Sequence, residues 1–163
     1  MDSLFQLSSR IGESLVAGGQ TITAVESCTA GGVAYALTMV PGSSEWFHRS
    51  FVTYTNQAKT DLVGVPQELF IDHGAVSLEV ATAMSRGAQK AALSDYSIAI
   101  TGIAGPGGGS RDKPVGTVCF GWADPDSEVS VERMMFTGDR ASIRSQSIHH
   151  ALMRMLAIVE QGR

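Results

Sequence analysis

Short β-branched runs alternate with helical repeats along the first two thirds of the chain, and a hairpin then breaks the alternation. Leu4, Leu7, Ile11, Leu15 and Val16 recur at helical spacing, so residues 3–18 read as an amphipathic helix that Gly18-Gly19 stops. Thr21 to Val25 reads as a strand, and Val33 to Val40 as a helix ended by Pro41-Gly42. The aromatic, β-branched stretch Trp46 to Tyr54 reads as a second strand. Asn56 is a suitable N-cap for a short helix through Val63, and Pro66 to Ile71 makes another helical turn. Ser77, with Glu79 in the first turn, opens a helix through Ala91. Ser97 to Thr101 is a buried strand and residues 102–114 form a Gly/Pro loop. Val115 to Ala123 and Val129 to Phe136 pair as a hairpin, and Asp139 to Val159 is the closing helix. Alternating strands and helices followed by a hairpin predict one α/β domain over residues 1–163, a three-layer α/β/α sandwich on a mixed, mainly parallel sheet.

With 163 residues and 44% hydrophobic content the chain encloses one sizeable core. Charged residues make up only 17%, below the usual quarter, so part of the surface is expected to be covered in a homodimer or larger homo-oligomer. The net charge is −4 and no Lys/Arg run occurs, which argues against a nucleic-acid partner. No window reaches the ~20 apolar residues of a membrane span, and the polar amino terminus does not read as a signal peptide. Cys28 and Cys119 cannot build a disulfide framework, so both thiols are expected to be reduced in a cytoplasmic protein.

Four segments can carry chemistry. Glu26-Ser27-Cys28-Thr29-Ala30-Gly31-Gly32 follows a strand and precedes a helix, at the carboxyl edge where open α/β sheets bind ligands. A Ser27 hydroxyl there can attack a carbonyl while the N–H groups of Cys28 or Thr29 hold the oxyanion; the simpler alternative is that Ser27 or Thr29 only caps the helix. In Tyr54-Thr55-Asn56-Gln57-Ala58-Lys59, a cap at Asn56 puts Lys59 in the first turn, where the helix dipole and burial both lower an amine pKa. A neutral lysine can act as general base, with Tyr54 at the strand end to pass a proton or orient it; otherwise Lys59 is a solvated surface residue.

The loop Thr101-Gly102-Ile103-Ala104-Gly105-Pro106-Gly107-Gly108-Gly109 faces the same edge, and its glycines allow close approach of a ligand; a simple flexible loop is the alternative. It contains neither a dinucleotide fingerprint nor a P-loop. Arg140 and Arg144, four apart after the Asp139 cap, share a helix face and can grip a phosphate. The four histidines do not form a metal-binding pair, and no metal is expected. His73 as the base of a serine triad and Cys28 as the nucleophile stay open as alternatives.

Taken together, Glu26-Ser27-Cys28-Thr29, Pro41-Gly42-Ser43-Ser44, Tyr54-Thr55-Asn56-Gln57-Ala58-Lys59, His73-Gly74-Ala75-Val76-Ser77, Thr101-Gly102-Ile103-Ala104-Gly105-Pro106 and Lys113-Pro114-Val115-Gly116 resemble the carboxy-terminal domain of the competence/damage-inducible CinA family. The resemblance covers nearly the whole chain. It implies an amidase that converts nicotinamide mononucleotide to nicotinate mononucleotide and ammonia in pyridine nucleotide salvage, without a cofactor. It also implies Ser27 as nucleophile, Lys59 as base and Tyr54 as its partner. The phosphate is then expected at Arg140 or Arg144, at Ser43-Ser44, or at the loop of Gly102, Ala104 and Gly105. The cofactor-cleaving amino-terminal domain of longer members has no counterpart in this sequence. One departure stands out: many members read Thr-Gly-Gly where this chain reads Thr29-Ala30-Gly31, and Ala30 is strained if its φ is positive. A catalytically weak paralogue, acting as a nucleotide-binding or regulatory protein, is the alternative this departure leaves.

Overall fold

The computed structural model describes residues 1–162. In chain order it contains α1 (Leu4–Gly18), β1 (Ile22–Glu26), α2 (Gly32–Thr38), a 3-10 turn (Ser43–Glu45), β2 (Phe51–Val52), α3 (Asn56–Val63) and α4 (Gln67–His73). These are followed by α5 (Leu78–Ala92), β3 (Tyr96–Gly102), β4 (Thr117–Ala123), β5 (Val129–Met135) and α6 (Arg140–Gln161). The strand order is β2-β1-β3-β4-β5. β2, β1 and β3 run parallel, whereas β4 is antiparallel to both β3 and β5. Four of the five strands therefore point the same way, and β4 alone is reversed.

Period-two alternation of each strand feeds two separate cores. Ile22 and Ala24 of β1, Ile98 and Ile100 of β3, and Phe120 and Trp122 of β4 pack against α1, α2 and α6 through Ile11, Leu15, Leu37, Leu152 and Met155. Val25 and Ala99 face the other way, against Val63, Val65, Val80, Met84 and Ala88 of the α3–α5 layer. Some of the polar atoms buried with these cores are paired: Trp122 Nε1 donates to the Ala151 carbonyl at 3.0 Å, and the hydroxyls of Ser85 and Ser97 lie 2.6 Å apart, whereas Ser8 Oγ and Thr53 Oγ1 are buried without a partner among the described residues. The result is the three-layer sandwich expected from the alternation.

Several boundaries differ from the sequence reading. The expected strand Trp46–Tyr54 shrinks to Phe51–Val52, plus a single bridge from Ile22 to Phe47. Trp46 leaves the sheet to pack on α1, where a Cβ on Gly12 would come within 2.7 Å of its ring. Thr55 caps α3 in place of Asn56, its hydroxyl accepting from the Ala58 N–H at 3.1 Å. Neither Ser27 nor Thr29 caps α2; the residue ahead of it is Gly31, with φ of 95° and no side-chain cap. At α6, Asp139 takes the expected N-cap position and accepts from the Ser142 N–H.

Candidate active site

β1, β2 and β3 end side by side, and the groups with chemical potential gather at their carboxyl ends. The Ser27 N–H donates to the Ile100 carbonyl at 3.0 Å, continuing the β1–β3 ladder one residue past β1. Chain direction then turns sharply: Ala30 and Gly31 take φ of 49° and 95°, and α2 begins. Ala30 is thus a non-glycine residue in the left-handed region, the strained case raised by the sequence. The N–H groups of Ala30 and Gly32 close this turn onto the carbonyls of Ser27 and Thr29. Those of Cys28, Thr29 and Gly31 meet no oxygen acceptor among the described residues.

Lys59 reaches the same point from α3. Its Nζ lies 3.2 Å from Ser27 Oγ and donates to the Thr53 carbonyl at 3.0 Å. The side chain is 2% exposed and Ser27 8%. Burial pushes the Lys59 pKa down from the ordinary lysine value. No carboxylate forms an ion pair with it among the described residues. Lys59 is therefore a buried amine against a serine hydroxyl, not a solvated surface lysine.

Cys28 beside it is a poor nucleophile. It is 5% exposed, and burial pushes its thiol up to about 11, so the thiolate is scarce near neutral pH. His73 lies at the end of α4, half exposed, with Nδ1 3.7 Å from Glu79 Oε1 and no hydrogen bond to Ser27.

The remaining candidates divide between the rim, the packing beneath it and the far edge of the sheet. Arg140 stands at the rim, its guanidinium donating to the Gly105 carbonyl at 2.8 Å and to the Tyr54 hydroxyl at 2.7 Å. Tyr54 is exposed and its hydroxyl is engaged by Arg140, with no bond to Lys59. Arg144 lies one turn further along α6 and reaches the Thr29 carbonyl at 3.4 Å. Gly102 serves packing: a Cβ there would come within 2.8 Å of Val118 Cγ2 and 3.1 Å of Cys28 Sγ. Ala104 is buried with the same cluster, which leaves Gly105 as the loop residue facing the rim. Ser43 and Ser44 are not brought to Ser27. Their 3-10 turn adjoins the start of β1, where the Ile22 N–H donates to the Trp46 carbonyl. The length of β1, about 13 Å at 3.3 Å per residue, separates this turn from Ser27.

Two residues with no role in the sequence reading matter here. Glu26 is fully buried at the end of β1, and its carboxylate accepts from the Thr29 hydroxyl at 2.7 Å, the Val33 N–H at 2.8 Å and the Ala34 N–H at 3.1 Å. A charged residue closing an apolar strand was the available signal. Thr53 contributes a backbone carbonyl, for which no sequence signal exists.

An apolar groove of about 920 Å³ between α3 and α5, lined by residues such as Leu62, Leu69, Ala83 and Ala91, includes none of these groups. Among the described residues no cluster of His, Cys, Asp and Glu suits a metal ion, and no helix is long and apolar enough to cross a membrane.

The CinA C-terminal domain matches residues 4–159. The chain is 49% identical over 152 residues to the nicotinamide-nucleotide amidohydrolase PncC of Escherichia coli K12, covering 93% of this chain and 92% of that protein. It is 49% identical over 158 residues to the protein of the same name from Pseudomonas putida, covering 97% and 98%. Among solved structures, the competence/damage-inducible protein CihA of Agrobacterium tumefaciens superposes with a TM-score of 0.93 at 39% identity, covering 96% of both chains. A CinA superfamily protein of Klebsiella pneumoniae gives a TM-score of 0.93 at 32% identity, covering 98% of this chain and 99% of that one.

Proposed function

We infer that this chain, which belongs to the CinA C-terminal domain family, hydrolyses the carboxamide of nicotinamide mononucleotide to nicotinate mononucleotide and ammonia. The observation that carries the reading is the buried Lys59 amine 3.2 Å from the Ser27 hydroxyl, with no carboxylate among the described residues paired to hold it charged. In its neutral form the amine has a lone pair for the Ser27 proton, and one of its N–H bonds still serves the Thr53 carbonyl.

Ser27 Oγ attacks the carboxamide carbon as its proton passes to Lys59. The N–H groups of Cys28 and Thr29, which meet no oxygen acceptor among the described residues, hold the oxyanion; one such donor is typically worth about 3–4 kcal/mol. The C–N bond breaks, the leaving nitrogen takes the proton from Lys59, and ammonia departs. Water then attacks the resulting ester, giving its proton to Lys59, and the acid leaves as Ser27 recovers its hydrogen.

Glu26 occupies the N-terminus of α2, so that helix end is closed to a second anion. The nucleotide phosphate falls to Arg140 and Arg144 at the rim, with Tyr54 and Gly105 holding Arg140 in place. The reaction belongs to pyridine nucleotide salvage in the cytoplasm, and the low charge content favours a homo-oligomer.

Ammonia release from nicotinamide mononucleotide tests the reading. Wild-type protein should release it, while Ser27→Ala and Lys59→Ala should abolish turnover with their circular dichroism unchanged. Near-full activity of Lys59→Ala would show that the base is assigned wrongly. Binding of the nucleotide by wild-type protein without ammonia release would favour the weak, nucleotide-binding paralogue.

A further inference from the structure

We propose that Glu26 is the positioning residue of the nucleophile turn, holding Ser27 and the oxyanion donors in register with Lys59. The proposal rests on the Ser27–Lys59 reading and adds the residue that sets its geometry.

Three observations converge on position 26. First, the carboxylate is completely buried and accepts three hydrogen bonds, all from residues that follow Ser27: the Thr29 hydroxyl inside the turn and the Val33 and Ala34 N–H groups at the start of α2. One side chain thus clamps the turn to the helix behind it. The helix does not provide this itself, since Gly31 ahead of α2 has no side chain and makes no cap bond. Second, the turn is strained. Ala30 sits at φ of 49°, a conformation costing an alanine about 1–2 kcal/mol. Such a backbone persists only where its surroundings hold it. Third, the backbone of the same residue reaches the base. The Thr53 N–H donates to the Glu26 carbonyl at 2.8 Å, and the Thr53 carbonyl accepts from Lys59 Nζ. Residue 26 therefore ties nucleophile, oxyanion donors and base to one strand end.

The chemistry of the clamp also decides where the oxyanion goes. With the Val33 and Ala34 N–H groups bonded to a carboxylate, the N-terminus of α2 cannot take developing negative charge. Thr29 turns its hydroxyl inward to Glu26, which leaves its N–H free to face the substrate. Glu26 touches no reacting atom; it acts through the turn.

Glu26→Gln tests this. The amide keeps one oxygen for Thr29 and Val33 but presents N–H₂ to the Ala34 N–H, so the clamp is loosened without loss of volume. Steady-state ammonia release from nicotinamide mononucleotide, measured as a function of pH, should show kcat lowered roughly 10- to 100-fold with KM within about threefold, the pattern of a lost transition-state interaction. The acid limb of the pH profile, set by Lys59, should keep its midpoint. Glu26→Asp, whose carboxylate is one methylene short of α2, should behave alike. Wild-type kcat in Glu26→Gln would overturn the proposal. So would a shifted acid limb, which would make Glu26 an electrostatic partner of Lys59. If Glu26→Gln does not fold, Thr29→Val removes one of the three donors at nearly constant volume; lowered kcat at unchanged KM supports the clamp and wild-type kcat overturns it. Wild-type protein that releases no ammonia, or Ser27→Ala as active as wild type, would sink the Ser27–Lys59 reading and this proposal with it, and either result appears before any Glu26 variant is compared.

Discussion

Lys59 Nζ sits 3.2 Å from Ser27 Oγ although the two residues are 32 positions apart in the chain, and burial holds that amine below its ordinary pKa. On the proposed mechanism this amine is the base, which makes activity depend on pH in one direction. The neutral amine is the competent form, so kcat/KM should rise with pH through the lowered pKa of Lys59 and level off above it. The limb should lie below the ordinary lysine range, and pH–rate profiles of the wild-type protein check it.

The same burial has a stability consequence. A lysine whose folded pKa is lowered binds fewer protons in the folded state than in the unfolded one, between the two values. Stability should therefore fall as pH drops from the unfolded lysine pKa, about 10.4, to the folded one, and should then become flat. Lys59→Met removes this penalty at neutral pH. Thermal unfolding should show the variant at least as stable as wild type near pH 7, with the difference narrowing in alkaline buffer, while ammonia release is lost.

On the proposed mechanism Cys28 supplies its backbone N–H and not its sulfur. With the thiol pushed up to about 11 and only 5% of the residue exposed, iodoacetamide at neutral pH should leave activity intact over hours. Cys28→Ala should keep kcat within a few-fold and lose about 1–2 kcal/mol of stability, the usual scale for removing a small buried group. Mass spectrometry of the alkylated protein, read beside the activity assay, separates sulfur chemistry from packing.

Ala30 carries avoidable strain. It is exposed, so Ala30→Gly loses no packing and relieves a φ of 49°. The left-handed penalty, partly offset by the greater freedom of glycine in the unfolded chain, leaves a net stabilisation of about 0.5–1 kcal/mol. Denaturant midpoints at equal slope would measure it. Turnover should not decrease, since the N–H groups of Cys28 and Thr29 keep their places.

Arg140 and Tyr54 should act on binding. Because Arg140 bonds the Tyr54 hydroxyl and the Gly105 carbonyl, Arg140→Ala should raise KM for the nucleotide about tenfold or more with kcat little changed. Tyr54→Phe frees the guanidinium from one restraint and should raise KM by a smaller factor. The acid limb should not move in Tyr54→Phe, because its hydroxyl makes no bond to Lys59. A Tyr54→Phe variant whose limb does shift would restore Tyr54 as the proton partner of the lysine.

Much of the architecture was legible because it rests on local periodicity. The apolar repeat of α1, the β-branched runs of β1 and β3, the cap at Asp139 and the loop between β3 and β4 all express rules that act within a few residues. The strand expected over residues 46–54 failed for a nonlocal reason: Trp46 found its partner in Gly12 of α1, which no window around position 46 contains. Gly102 has a nonlocal role of the same kind, since its missing side chain makes room for Cys28 and Val118.

The chain by itself determined which groups stand at the ends of its strands: a hydroxyl after β1, an amine in the helix after β2, a Gly-rich loop after β3 and two arginines opening α6. Parallel pairing of those strands follows from the alternating order, so their carboxyl ends had to share one edge. Only the tertiary structure decided which of these groups meet. It set Lys59 against Ser27, turned Tyr54 toward Arg140, left Ser43 and Ser44 at the opposite edge, and buried Glu26 behind the turn. Such choices depend on hydrogen bonds and burial between segments distant in sequence, and their free energies appear only once both partners have been brought together.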